Sequence, residues 1–109
     1  LGFIYSNSLG VEGNHTMAFE WYRKAAEQGE VQSLYQLGLY YELGYGVPID
    51  YSASAHWFMK AANQGHPEAQ YCLGWLYEFG IGVSRDLIQA YNWYRFQVFR
   101  EISLLKKLL

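Results

Sequence analysis

The sequence predicts an all-α repeat solenoid built from pairs of helices. Three observations carry this expectation. The chain lands on itself when shifted by 36 residues. Each copy carries apolar residues at helical spacing, and glycines and aspartates fall where helices should end and begin. The shift places Trp21 on Trp57 and Trp93, Lys24-Ala25-Ala26 on Lys60-Ala61-Ala62, and Gln28-Gly29 on Gln64-Gly65. It also places Leu37-Gly38 on Leu73-Gly74 and on Leu1-Gly2, aligns Tyr5, Tyr41 and Tyr77, and aligns Gly10-Val11, Gly46-Val47 and Gly82-Val83. No gap is needed. No apolar stretch alternates cleanly enough to compete as a strand.

The first helix of each unit is expected over roughly 31–43 and 67–79. In the second of these, Ala69, Leu73 and Tyr77 share one face. Pro67 suits the first helical turn, where its missing N–H is no loss. Gly74 would let a neighbouring helix come close. Gly80 and Gly82, matching Gly44 and Gly46, stand past the helix end, where a glycine with positive φ closes a helix. The second helix starts after Asp50 or Asp86, each a good cap for unpaired backbone N–H groups, and Asn14 holds the same place in the first copy. Trp57, Phe58, Ala61 and Ala62 mark its packed face, large residues filling space left by small ones. It ends near Gly65.

Composition narrows the function. The chain has 109 residues, enough for one domain; 51% are apolar, 17% charged and 19% aromatic, with 11 Tyr and 4 Trp. A net charge of −2 gives no basic field for nucleic acid. The single cysteine, Cys72, allows neither an internal disulfide nor a cysteine-based zinc site, and reads as a small hydrophobe. No apolar run is long enough to span a bilayer. Opening on Leu1 rather than Met, the chain reads as part of a longer protein.

The blocks LGWLYEFGIGV (73–83) and DYSASAHWFMKAANQGHPEAQYCLG (50–74) resemble the Sel-1-like repeat family, relatives of the tetratricopeptide repeats. The tetratricopeptide unit is about 34 residues; the extra length here falls in the Gly-x-Gly-Val connection. The resemblance covers about residues 1–95. It implies a right-handed superhelix of antiparallel helix pairs serving as a scaffold or adaptor. A cysteine-rich bacterial branch of the family is associated with penicillin binding and β-lactamase activity, but its repeats carry paired cysteines. Two places depart from the pattern. Ser6-Asn7-Ser8-Leu9 replaces the Glu-x-Gly of 42–44 and 78–80, and the third copy lapses after Tyr94. The organisation expected is a partial repeat over 1–29, a repeat over 30–65, a repeat with a degenerate end over 66–95, and an amphipathic C-terminal helix or cap over 96–109.

In a solenoid one face of the first helix lines the concave surface. At 100° per residue, the side opposite Leu73 holds Glu68, Tyr71, Trp75 and Glu78. The preceding unit matches these with Gln32, Tyr35, Leu39 and Glu42, and the first copy with Phe3. Rows Phe3–Leu39–Trp75 and Tyr35–Tyr71, with Glu42 and Glu78 along one side, describe an aromatic groove with an acidic edge. It would bind a peptide or helix. The alternative is that the tyrosines pack between repeats and the glutamates are structural.

Val98, Ile102, Leu105 and Leu109 form an apolar stripe, with Arg100, Ser103 and Lys107 opposite. This tail is expected to continue the helix starting near Asp86 and to cover the open face of the last repeat. The alternatives are docking of a partner or a second copy through this helix, and a membrane-surface helix given Lys106 and Lys107. His15, His56 and His66 occupy three different repeat positions without metal-ligand spacing, and His66 before Pro67 reads as a helix cap. No catalytic residue, metal site or cofactor is expected. Asn14-His15-Thr16 is a glycosylation acceptor pattern expected in a connection between helices. The leading function is therefore a protein-interaction scaffold. The alternatives are a cell-wall- or β-lactam-binding enzyme like the cysteine-rich branch, and a spacer for a fused domain.

Overall fold

A computed structural model describes residues 12–108. They form five helices: α1 (Glu12–Glu27), α2 (Val31–Leu43), α3 (Tyr51–Asn63), α4 (Pro67–Phe79) and α5 (Leu87–Leu108). Each packs on the helix before it and the helix after it. The architecture is an all-α solenoid of antiparallel pairs, with the first helices at the lengths the repeat predicts.

The ends of the helices are set by local chemistry that recurs from unit to unit. Glu30 caps α2, its carboxylate accepting the Gln32 N–H at 2.8 Å and the Ser33 N–H at 3.1 Å. His66 fills the same position before α4, where Nδ1 accepts the Ala69 N–H at 3.1 Å. Asp50 accepts from the Ala53 N–H, and Asp86 from those of Ile88 and Gln89. Gly44 and Gly80 close α2 and α4 with φ of 74° and 66°, where a side chain would be strained. The chain is then drawn back onto the helix it has left: Asp50 N–H donates to Tyr41 O, and Asp86 N–H to Tyr77 O, both at 2.9 Å.

α2 and α4 bury matching positions: Ser33, Leu34, Leu37, Gly38 and Tyr40 in one, Ala69, Gln70, Leu73, Gly74 and Leu76 in the other. Against them α3 buries Ser54, Ala55, Phe58, Ala61 and Ala62. The closest approach is at the glycines. A Cβ on Gly38 would lie 2.5 Å from ring carbons of Phe58, and one on Gly74 would lie 2.7 Å from the Tyr94 ring. Ser54 Oγ donates to Gly38 O at 2.8 Å in the same contact. The second glycine of each connection, Gly46 or Gly82, sits against the backbone of the preceding second helix at His15 or Tyr51.

Two expectations are corrected. Asn14 does not cap a helix, because α1 already begins at Glu12. The first copy has Glu12 where the second has Pro48, and glutamate extends a helix that proline would interrupt. The Asn14-His15-Thr16 pattern accordingly lies in the first turns of α1, not in a connection, with Asn14 half-buried.

The tail is one continuous helix with the Asp86-capped segment, but its apolar stripe does not cover the last repeat. Val98, Ile102 and Leu105 are exposed, at 54%, 47% and 59%. Gln97 and Arg100 turn inward instead. Gln97 Nε2 donates to Pro67 O at 2.7 Å, and Arg100 donates to Gln97 Oε1 at 2.9 Å and to Gln70 Oε1 at 3.4 Å. The register of α5 is fixed upstream, by buried Ala90 and by Tyr94 over Gly74, and one turn further along that side reaches Gln97. Leu109 and Ser6–Leu9 lie outside the described residues.

Gly38→Ala should destabilise the fold by about 1–2 kcal/mol, overpacking against Phe58 outweighing alanine's better helix propensity. Gly74→Ala should cost less, because Tyr94 is partly exposed and has room to give, whereas Phe58 is fully buried. Urea denaturation of both variants checks the order.

Glu30 gives a pH signature. The Ser33 hydroxyl, and then the backbone N–H groups it caps, hold its carboxyl below the ordinary value of 4.5. Its contribution is therefore complete above that value and is lost as pH falls through the lower folded value. Glu30→Ala should cost on the order of 1 kcal/mol at neutral pH, as loss of a cap does. Paired thermal melts should show that gap closing in acid.

Candidate partner-binding groove

The first helices of successive units, α2 and α4, lie side by side. At their N-terminal ends they are joined directly. His66 Nε2 and Gln32 Oε1 are 2.9 Å apart, and the His66 ring stacks on Tyr35 with centroids 4.5 Å apart. Two hollows that share Tyr71 and Cys72 open along α4, one further along between α4 and Glu42 of α2, the other beside this joined end and reaching α5. One, of about 240 Å³, is lined by Glu42, Tyr71, Cys72, Trp75 and Leu76. The other, of about 510 Å³, is lined by Tyr35, Pro67, Glu68, Tyr71, Cys72, Gln97 and Arg100.

Repeat geometry places these side chains. Tyr71 leans on Tyr94 as Tyr35 leans on Phe58, with centroids 5.7 and 5.8 Å apart. Tyr71 and Trp75 remain exposed, at 55% and 40%, and Trp75 also lies against Phe79. These are large apolar surfaces left without cover.

The residues expected on this face do not all share one surface. Glu42, Tyr71 and Trp75 meet at the first hollow, and Tyr35, Glu68 and Tyr71 at the second. Gln32 is exposed but bonded to His66. Leu39 packs against the core. Glu78 lines neither hollow, and its Oε1 accepts the Tyr94 hydroxyl at 2.7 Å. Phe3 lies outside the described residues. Sequence reasoning missed Cys72, Leu76, Pro67, Gln97 and Arg100. Cys72 follows Tyr71 and faces the same space; Gln97 and Arg100 come from α5, and nothing in the helix pattern of α4 points to them.

Burial shifts ionisable groups that line the hollows. Burial pushes the Cys72 thiol up to about 11, so it stays protonated at neutral pH and is a poor nucleophile. Burial likewise raises the Glu42 carboxyl, and pushes the Tyr35 hydroxyl up to about 12. The three histidines do separate things: His15 stacks on Tyr45, His56 lies on the surface edge-on to Trp57, and His66 caps α4. Among the described residues no group of three histidine, cysteine, aspartate or glutamate side chains is placed to hold a metal ion. Among them, too, no helix is long and apolar enough to cross a membrane.

The Sel1 repeat family matches the chain three times, over residues 1–30, 31–66 and 67–96. Among solved structures, a Sel1 repeat protein from Oxalobacter formigenes is 41% identical, with a TM-score of 0.80, over 86% of this chain and 39% of its own. The protective antigen c5321, present in uropathogenic Escherichia coli strains and displaying the same repeat fold, is 40% identical with a TM-score of 0.85. That match covers 92% of this chain and 21% of the antigen. The chain thus spans less than half the length of either. No curated protein matches it significantly. Sel1 repeats form tetratricopeptide-like helical solenoids and commonly mediate protein–protein interaction. With the family matched along nearly the whole chain, and solved relatives superposing on the described helices, this protein belongs to the Sel1 repeat family.

Proposed function

We propose that the chain is a protein-interaction module that seats a peptide or helix of a partner in the groove between α2 and α4. The observation that carries this reading is the exposure of Tyr71 and Trp75 on one face beside two contiguous hollows. Aromatic side chains of this kind dominate interface energetics, since they cover much apolar area and lose few rotamers when covered. Tyr35 and Glu68 line the larger hollow, and Glu42 puts a negative charge at the far end of the slot. The chemistry requires no cofactor and no catalytic group. The roles as β-lactam-binding enzyme and as spacer have no comparable feature behind them.

The outer face of α5 supports a second, separate reading. Tyr91 and Val98 are exposed, whereas the residues they match in the repeat, Ala55 and Ala62, are buried. Together with Tyr94, Arg95 and Ile102 they border a hollow of about 240 Å³. A second copy of the chain, packed helix to helix across a two-fold axis, is the occupant this reading assigns.

Peptides selected from a display library on the intact chain should lose on the order of tenfold to a hundredfold in affinity when Tyr71 and Trp75 are both changed to alanine. Ile102→Ser, on the other side of the molecule, should leave that affinity unchanged. Circular dichroism checks that all three proteins are equally helical. Binding that survives the double substitution ends the groove reading. For the outer face, sedimentation velocity should show concentration-dependent dimers, and Ile102→Glu should leave only monomers. Dimers that persist in that variant, or monomers throughout, exclude it.

A further inference from the structure

Glu42 and Glu78 occupy the same place in successive units, yet only one has a partner. Glu78 accepts the Tyr94 hydroxyl. The residue matching Tyr94 in the preceding unit is Phe58, which has no hydroxyl to give. Among the described residues Glu42 makes no hydrogen bond and no ion pair. It is nevertheless half-buried, and burial raises its carboxyl. A carboxylate partly withdrawn from water without a donor is destabilising, and a cation beside it would remove that cost.

The surroundings of Glu42 fit one kind of cation. Its hollow is walled by the rings of Tyr71 and Trp75, with Cys72 and Leu76 completing the lining. Aromatic faces attract ammonium groups, tryptophan most strongly. A long apolar stem lies well along such a wall while its charged head reaches the carboxylate. The nearest cation lining the groove, Arg100, borders the other hollow and is engaged with Gln97 and Gln70. We propose that the Glu42 hollow is a subsite for a lysine side chain of the partner segment, its ammonium paired with Glu42 beside the rings of Tyr71 and Trp75. The assignment rests on the groove reading above and gives it a sequence preference.

The test uses n-butylammonium, a lysine side chain without its backbone, and 1-butanol as the neutral counterpart. The readout is the Trp75 indole N–H resonance of the intact chain, identified by its loss in Trp75→Phe. Butylammonium should shift it saturably and butanol should not. Glu42→Gln should weaken the binding at least about fivefold, because only the ring attraction remains. Glu78→Gln should leave it unchanged. Glu42→Gln removes an unpaired charge and should fold at least as stably as the parent. Glu42→Asp, which keeps the charge but draws it back, should also bind more weakly and serves as the second variant.

Absence of a saturable shift, equal binding of butanol, or an unchanged affinity in both Glu42 variants overturns the lysine subsite. If that happens while selected peptides still depend on Tyr71 and Trp75, the groove reading stands without it. If butylammonium binds as described and no selected peptide depends on those two rings, the groove reading falls, and the hollow remains a site for a free lysine-like cation.

Discussion

The ring of Phe58 lies over Gly38, and the ring of Tyr94 lies over Gly74. This contact between an aromatic side chain on a second helix and bare backbone on a first helix sets the spacing of the array. It lets α2 meet α3, and α4 meet α5, closely enough for Ser54 Oγ to reach a main-chain carbonyl across the interface. The leucines that fill the rest of the core, Leu37 and Leu73, flank the same glycines. Where the ring sits also decides which way the second helix is turned. The side chains of α5 that face inward follow from Tyr94, and those that face outward follow by exclusion.

Much of the fold was legible in the sequence because the same local solutions occur twice at a fixed interval. Asp50 and Asp86 start helices, Gly44 and Gly80 end them, and each does so through a bond within a few residues. Such short-range chemistry is visible in a string of letters. The direction of the tail was not. An amphipathic stripe says that one side of a helix is apolar, but not which side meets the protein. That was settled by Ala90 and Tyr94, a turn or more upstream, which leave Gln97 and Arg100 facing α4.

The groove was legible to a similar depth. Angular position alone separates Tyr71 and Trp75 from buried Leu73. The difference between Glu42 and Glu78 was hidden, since both belong to the repeat pattern and sit at the same angle. It depends on a residue sixteen positions further on in each unit, Phe58 in one and Tyr94 in the other. A near-repeat is informative at such points. Where two copies differ by a single hydroxyl, the copy without it keeps a polar group that has lost its intramolecular use.

The stacked pair of Tyr35 and His66, bonded on to Gln32, ties α2 to α4 at one end only. At the other end, by Glu42 and Trp75, no such link exists among the described residues, and both walls are carried by α3. Mechanically this is a clothes-peg. A small change in the angle between units barely alters the spacing at Tyr35 and is magnified along the helices towards Trp75. The slot therefore has one pinned end and one free end, with the larger hollow beside the pinned end at Tyr35 and the smaller one at the free end by Glu42 and Trp75.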